Sequence, residues 1–246
     1  DVESYGFSDE EVLESVMEIM RFSEDNELET TFFVTGELIE RNPIFFKSVQ
    51  DQGFEVACHG YKHERFDELD AKEIKSVLKK VKTIAKKAGI KLKGFRAPQH
   101  SIRKKDLSIV HETGFLYDSS VTSMNFMQFM FFPKKLFLNL SHFLSRPYPY
   151  QTKGVIEVPT TSVFIPLVSL AVRLMPEWIV RLLFRVSCFT TKGNVLFYVH
   201  NWDFLELPNS RAYRLCPKEK FLKKLSNFIE FVKSKAEPKS LDDIVS

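Results

Sequence analysis

Cysteine is scarce in this chain: 246 residues contain three, Cys58, Cys188 and Cys216. An odd, scattered set provides neither a CxxC metal pattern nor a disulfide framework, which favours a reducing compartment and makes a cytoplasmic location the expectation. A charge excess is missing as well. Lys and Arg total 35 against 32 Asp and Glu, a formal net charge of +3, too balanced for a nucleic-acid partner. Long apolar runs are also absent. The longest stretch, Val163 to Leu174, is broken by Pro166 and Arg173 and is too short to span a bilayer. No signal peptide, arginine-rich transit segment, internal repeat or low-complexity linker is visible, so residues 1–246 read as one domain. The chain opens at Asp1 instead of Met, and a strand leading into Asp1 is expected upstream of it.

Short β-branched or aromatic runs alternate with longer amphipathic stretches. Strands are predicted over 30–34, 54–58, 93–96, 115–117 and 195–199, and helices over 37–52, 71–88, 104–112 and 218–234. Leu69, Ile74, Val77, Val81 and Ile84 supply the apolar stripe of the second helix, and Gly89 ends it. Repeated βα units imply an α/β protein with a parallel sheet, and at this length a distorted (β/α) barrel. Met124 to Phe132 and 163–184 make a greasy insertion around 124–186. Packing is its ordinary reading; an apolar wall beside a site, or a face for membrane or a lipid-bearing substrate, is the functional one.

His59 and His63, four residues apart in Val56-Ala57-Cys58-His59-Gly60-Tyr61-Lys62-His63, can converge on one metal ion if the segment is helical or turn-like. Alone, such a pair is weak evidence. Its company raises the odds, because polar residues recur where predicted strands end: His59, Arg96, Asp118 and His200. In a barrel those strand ends carry the working side chains.

Five segments in order resemble the polysaccharide deacetylase family (NodB homology, carbohydrate esterase family 4). They are Asp1-Val2-Glu3, His59-Gly60-Tyr61-Lys62-His63, Gly94-Phe95-Arg96-Ala97-Pro98, Tyr117-Asp118-Ser119-Ser120 and His200-Asn201-Trp202-Asp203-Phe204. The resemblance implies a seven-stranded NodB-type barrel. It implies a divalent metal, zinc by preference, on Glu3, His59 and His63, with Asp1 as general base and His200 as general acid. Arg96 would grip Asp1 in two-pronged fashion, and Asp118 would orient His200. His100 could line the cleft, whereas His111 and His142 look incidental. Two departures stand out: the metal carboxylate is Glu3 in a DxE variant, and Asn201 follows the last histidine where the family usually has proline.

The implied activity is removal of an N-acetyl group from an amino sugar or glycan, lipid-linked ones included, with acetate release. A rival keeps the chemistry but changes the substrate to a cyclic ureide or imide, or a formamido sugar on lipid. A different class of reading is an inactive barrel that binds glycan. The pairing of a base and an acid with their orienting partners argues against that, as three metal ligands argue against a closed structural zinc site.

Overall fold

A computed structural model describes residues 1–131, 133–207 and 209–245, so the Phe132 end of the Met/Phe-rich segment lies outside the described residues. The framework is a six-stranded sheet in the order β1-β2-β3-β4-β6-β5. β1 (Thr31–Val34), β2 (Glu55–Cys58), β3 (Gly94–Phe95), β4 (Tyr117–Asp118) and β6 (Val155–Glu157) run parallel, and β5 (Tyr150–Thr152) adds an antiparallel edge. Parallel neighbours need crossovers. α2 (Gly36–Arg41), α3 (Pro43–Asp51), α4 (Ala71–Lys87) and α5 (Leu107–Glu112) supply them.

α4 follows from its sequence. Asp70 caps it, accepting the Lys72 and Glu73 amides, while Glu73 reaches back to the Asp70 amide, satisfying donors that a helix start leaves unpaired. Ile74, Leu78, Val81 and Ala85 face inward. The helix expected over 37–52 is divided at Asn42, because Pro43 has no amide to continue the first helix and starts the second instead. Sequence reading missed α1 (Asp9–Asp25), whose Ser8–Glu11 capping box and buried Val12, Val16 and Ile19 are plain in retrospect.

The expected strand over 195–199 does not form. Residues 195–200 are only half buried, with a single bridge between Tyr198 and Val168. The physical reason is a missing neighbour. Backbone groups alternate in direction along an extended chain. Tyr198 and Leu196 engage Ser169 and Thr161, so Phe197 and Val199 face the other way. There they meet a cavity of about 380 Å³ walled by Thr30–Phe33, Phe228 and Ile229. Residues 1–3 fill one end of that gap. The Val2 amide donates to the Phe33 carbonyl (2.8 Å), the Asp1 amino group to Val199 (2.8 Å) and the Asn201 amide to Asp1 (3.0 Å). This places Asp1 and Glu3 at the end of the sheet where β1 and β2 finish.

The insertion holds α6 (Met127–Phe131), α7 (Leu136–Phe143), the β7–β8 hairpin (Ser162–Val163, Ile165–Pro166), α8 (Ser169–Leu174) and α9 (Glu177–Thr190). α10 (Arg211–Leu215), α11 (Lys218–Lys233) and α12 (Leu241–Val245) complete the chain, and α11 packs Phe221, Leu225 and Phe228 into the core.

His142 in α7 is fully buried, its Nε2 2.8 Å from the Ile102 carbonyl, and burial pushes its pKa down from 6.5 to about 4. The unfolded chain therefore binds the extra proton between those values. The stability this histidine contributes is complete above its unfolded pKa and falls, by up to about 3 kcal/mol, as pH drops through the folded one. Urea unfolding at a series of pH values between these limits should show a shallower decline for His142→Gln than for the unaltered chain; parallel declines would refute the assignment.

Candidate metal centre and active site

β2 ends at Cys58, and strand alternation sends that side chain into the core, where burial pushes its thiol up to about 12. His59, the next residue, points to the site. Residues 59–63 form a turn, not a helix. Gly60 at φ +73° and His63 at φ +62° bend the chain through the left-handed region. The Tyr61 and Lys62 amides both donate to the Glu64 carboxylate, at 3.1 and 2.6 Å. The turn brings His63 Nε2 to 2.6 Å from Glu3 Oε2. One ligand atom each from Glu3, His59 and His63 lies within 4.8 Å of the others.

This donor set suits a divalent metal. His59 Nδ1 sits 2.9 Å from the Arg96 carbonyl, which fixes Nδ1 as the protonated nitrogen and leaves Nε2 with its lone pair. Burial above all, with His63 and Arg96 nearby, holds the His59 pKa well below the ordinary imidazole value, keeping it in the neutral form a metal ligand needs.

Arg96, at the end of β3, is 2 % exposed. Its Nη1 donates to Asp1 Oδ1 (2.8 Å), Nε to the Ser119 carbonyl (3.0 Å) and Nη2 to Ser119 Oγ (2.9 Å). The grip on Asp1 is thus one-pronged, not two-pronged, because Ser119 takes the other donors. The guanidinium lies over the Phe33 ring at 4.1 Å, and burial lowers its pKa to about 10, so it remains charged at neutral pH. Asp1 Oδ2 is 3.9 Å from His200 Nε2. His200 stacks on Trp202, ring centroids 4.2 Å apart and planes 9° from parallel. Burial pushes its pKa down to about 4.

Asp118 accepts the Ser120 amide (2.9 Å) and hydroxyl (2.8 Å) and lies opposite Glu157, its register partner on β6. Among the described residues no hydrogen bond or ion pair joins it to His200. Burial raises both carboxyls, Glu157 the more strongly, so the pair shares a proton. Support for His200 comes instead from Asp203, whose carboxylate accepts the His200 amide (3.0 Å) and is held by buried Arg173 and by Tyr213. Asn201 has a specific task here: its Oδ1 accepts the Glu3 amide (3.2 Å). His100 spans the Ser120 carbonyl and the Tyr198 hydroxyl, at 3.2 and 3.3 Å. Sequence reasoning missed Glu157, Ser119, Tyr198 and the Arg173–Asp203 pair. The one available signal was a lone acid in the apolar run Val155–Val158. The large cavity behind Asp1 and Arg96 is apolar and includes none of the three ligand residues, so it is not the reaction site.

Residues 7–117 match the family model described as polysaccharide deacetylase. A peptidoglycan deacetylase-like protein of Gibberella zeae, FGM2, is 38 % identical over 93 residues, covering 37 % of this chain and 28 % of that protein. The chain therefore matches less than a third of that relative's length. Among solved structures, one from Mycobacterium smegmatis assigned to the polysaccharide deacetylases superposes with a TM-score of 0.65 at 18 % identity, over 94 % of this chain and 75 % of the other. The Bc1960 peptidoglycan N-acetylglucosamine deacetylase superposes with a TM-score of 0.55 at 14 % identity, over 92 % and 78 %. Residues 7–117 thus resemble the polysaccharide deacetylases in sequence, and the chain shares its α/β fold with the Mycobacterium smegmatis structure.

Proposed function

We propose that the protein is a divalent-metal-dependent hydrolase, with zinc the preferred ion, that removes the N-acetyl group from an amino sugar of a glycan and releases acetate. The observation that carries this reading is the convergence of Glu3, His59 and His63 beside an Arg96-bound Asp1 and a stacked His200. In fold terms, we read the extended run 195–199, which is not paired as a strand, as occupying the position of a seventh stave in a distorted barrel around this site.

Three protein ligands leave coordination positions open, as catalysis needs and a structural site does not. An ion bound there supplies Lewis acidity toward a carbonyl oxygen and lowers the pKa of water. The chain's own groups move the protons. Asp1 Oδ1 is occupied by Arg96, so Oδ2 is the oxygen left to take a proton from the attacking water. His200 rests neutral, and the proton it gives to the departing nitrogen must reach it during the reaction; Asp1, 3.9 Å away, is placed to pass it on. Arg96 and Ser119 keep Asp1 oriented, Asp203 steadies the backbone of His200, and the Asp118–Glu157 pair braces the strand ends beneath them.

Metal-stripped protein should release acetate from a panel of N-acetylated sugars, glycans and lipid-linked sugars only after zinc is restored. Stoichiometric zinc binding with no acetate from any substrate would shift the reading to the ureide or formamide hydrolases. Absence of zinc binding would sink the site. Glu3→Ala and His59→Ala should each abolish tight binding in calorimetry. Asp1→Asn should keep the metal but lower kcat by about 10²–10⁴-fold, and an unchanged kcat would remove Asp1 from the role of base. Glu157→Gln should leave stability within about 1 kcal/mol, whereas Glu157→Ala should cost about 2–3 kcal/mol by stranding Asp118, as thermal unfolding would register.

A further inference from the structure

α7 is built inside out. Asn139 and His142 occupy its buried face, while Leu136, Phe137, Leu140 and Leu144 at its end face outward, Phe137 88 % exposed. A helix with water on its outer side shows the reverse order. α9 presents a similar stripe: Val180, Phe184 and Ser187 point inward, and Trp178, Leu182, Val186 and Phe189 lie outside at helical spacing. The β7–β8 hairpin also exposes Phe164 and Ile165. Hydrogen bonds from Phe126 to Phe164 and from Phe164 to Met124 tie this hairpin to the segment entering α6, so the greasy elements adjoin.

Charge follows the same partition. Residues 119–192 hold eight Lys or Arg and two carboxylates, one of them the buried Glu157, although the whole chain has a formal net charge of only +3. The rest of the protein is therefore net acidic. Lys134, Arg146, Arg181, Arg185 and Lys192 stand exposed beside the apolar stripes. Exposed aromatic and aliphatic side chains flanked by cations are the signature of a surface that lies in an anionic lipid interface. No described helix is long and apolar enough to cross a membrane, so the contact is a face and not a span.

The face also adjoins the metal centre. The insertion leaves the sheet at the ends of β4 and β6, the end that carries His59 and Arg96. Lys135, just before α7, pairs with Asp67 (2.9 Å) and Glu68 (3.1 Å) in the loop that follows His63.

We propose that α7, the β7–β8 hairpin and α9 form a docking face for an anionic lipid bilayer, which brings the metal centre to the membrane surface. If the hydrolase reading above holds, the substrate class this favours is an N-acetylated glycan carried on a lipid; the docking itself is independent of that reading.

The test is co-sedimentation of the full chain with phosphatidylcholine vesicles, with and without phosphatidylglycerol. The expected result is binding only when phosphatidylglycerol is present, weakened by salt, with a blue shift of tryptophan emission that disappears in Trp178→Tyr. Phe137→Ser with Leu144→Ser, and separately Arg181→Gln with Arg185→Gln, should each weaken binding at least about tenfold; the first pair should leave the thermal midpoint unchanged, since both side chains are exposed and apolar. No vesicle binding, equal binding to uncharged vesicles, or binding that neither pair of changes weakens would overturn the proposal. So would self-association in sedimentation equilibrium that the Phe137/Leu144 pair abolishes without any vesicle binding, because the face would then join two copies of the chain. A protein that binds anionic vesicles but releases no acetate would refute the N-acetyl reading alone.

Discussion

A single buried guanidinium organises the candidate site of this molecule. Arg96 is shut off from water, and a charge in that position persists only where its donors are satisfied. Ser119 and Asp1 take three of its five N–H groups from two different segments, and the Phe33 ring closes one face. The same residue's carbonyl holds His59 by Nδ1. One position thus binds the proposed base through its side chain and orients a proposed metal ligand through its backbone. The first three residues of the chain, β2, β3 and the segment after β4 are all drawn to it, and disturbing it would disturb every part of the site.

The local elements that stand on strong periodicity were legible before the structure. β1, β2, α4 and α11 lie within a residue or two of their predicted limits, because capping residues and apolar stripes act locally. The run 195–199 was not, since its sequence is strand-like but its pairing depends on what lies beside it. The site was legible as residue types at strand ends, and Glu3, His59 and His63 do meet. What sequence could not reveal is who holds whom. Asp118 turns out to be committed to Glu157 and Ser120, and Asp203, which spacing gave no reason to single out, braces His200.

The insertion reverses the usual order of a soluble helix. Apolar runs in a loop region normally signal packing, yet in α7 the polar Asn139 and His142 are the packed residues and the apolar ones are left outside. His142 and Lys135 act as rivets, one to the Ile102 carbonyl and the other to the loop after His63. Polar contacts thereby fix α7 against the site without drawing on its outward apolar stripe.

The left-handed backbone at His63 bears on how this centre can vary. Asparagine and aspartate tolerate φ +62° far better than alanine or any β-branched residue. Drift away from histidine at this position would therefore pass most easily through short polar side chains that could still offer an oxygen to an ion. A chain that lost the imidazole by this route would keep its turn, and with it the closeness of Glu3 and His59, so chemistry could fade while the architecture stayed intact.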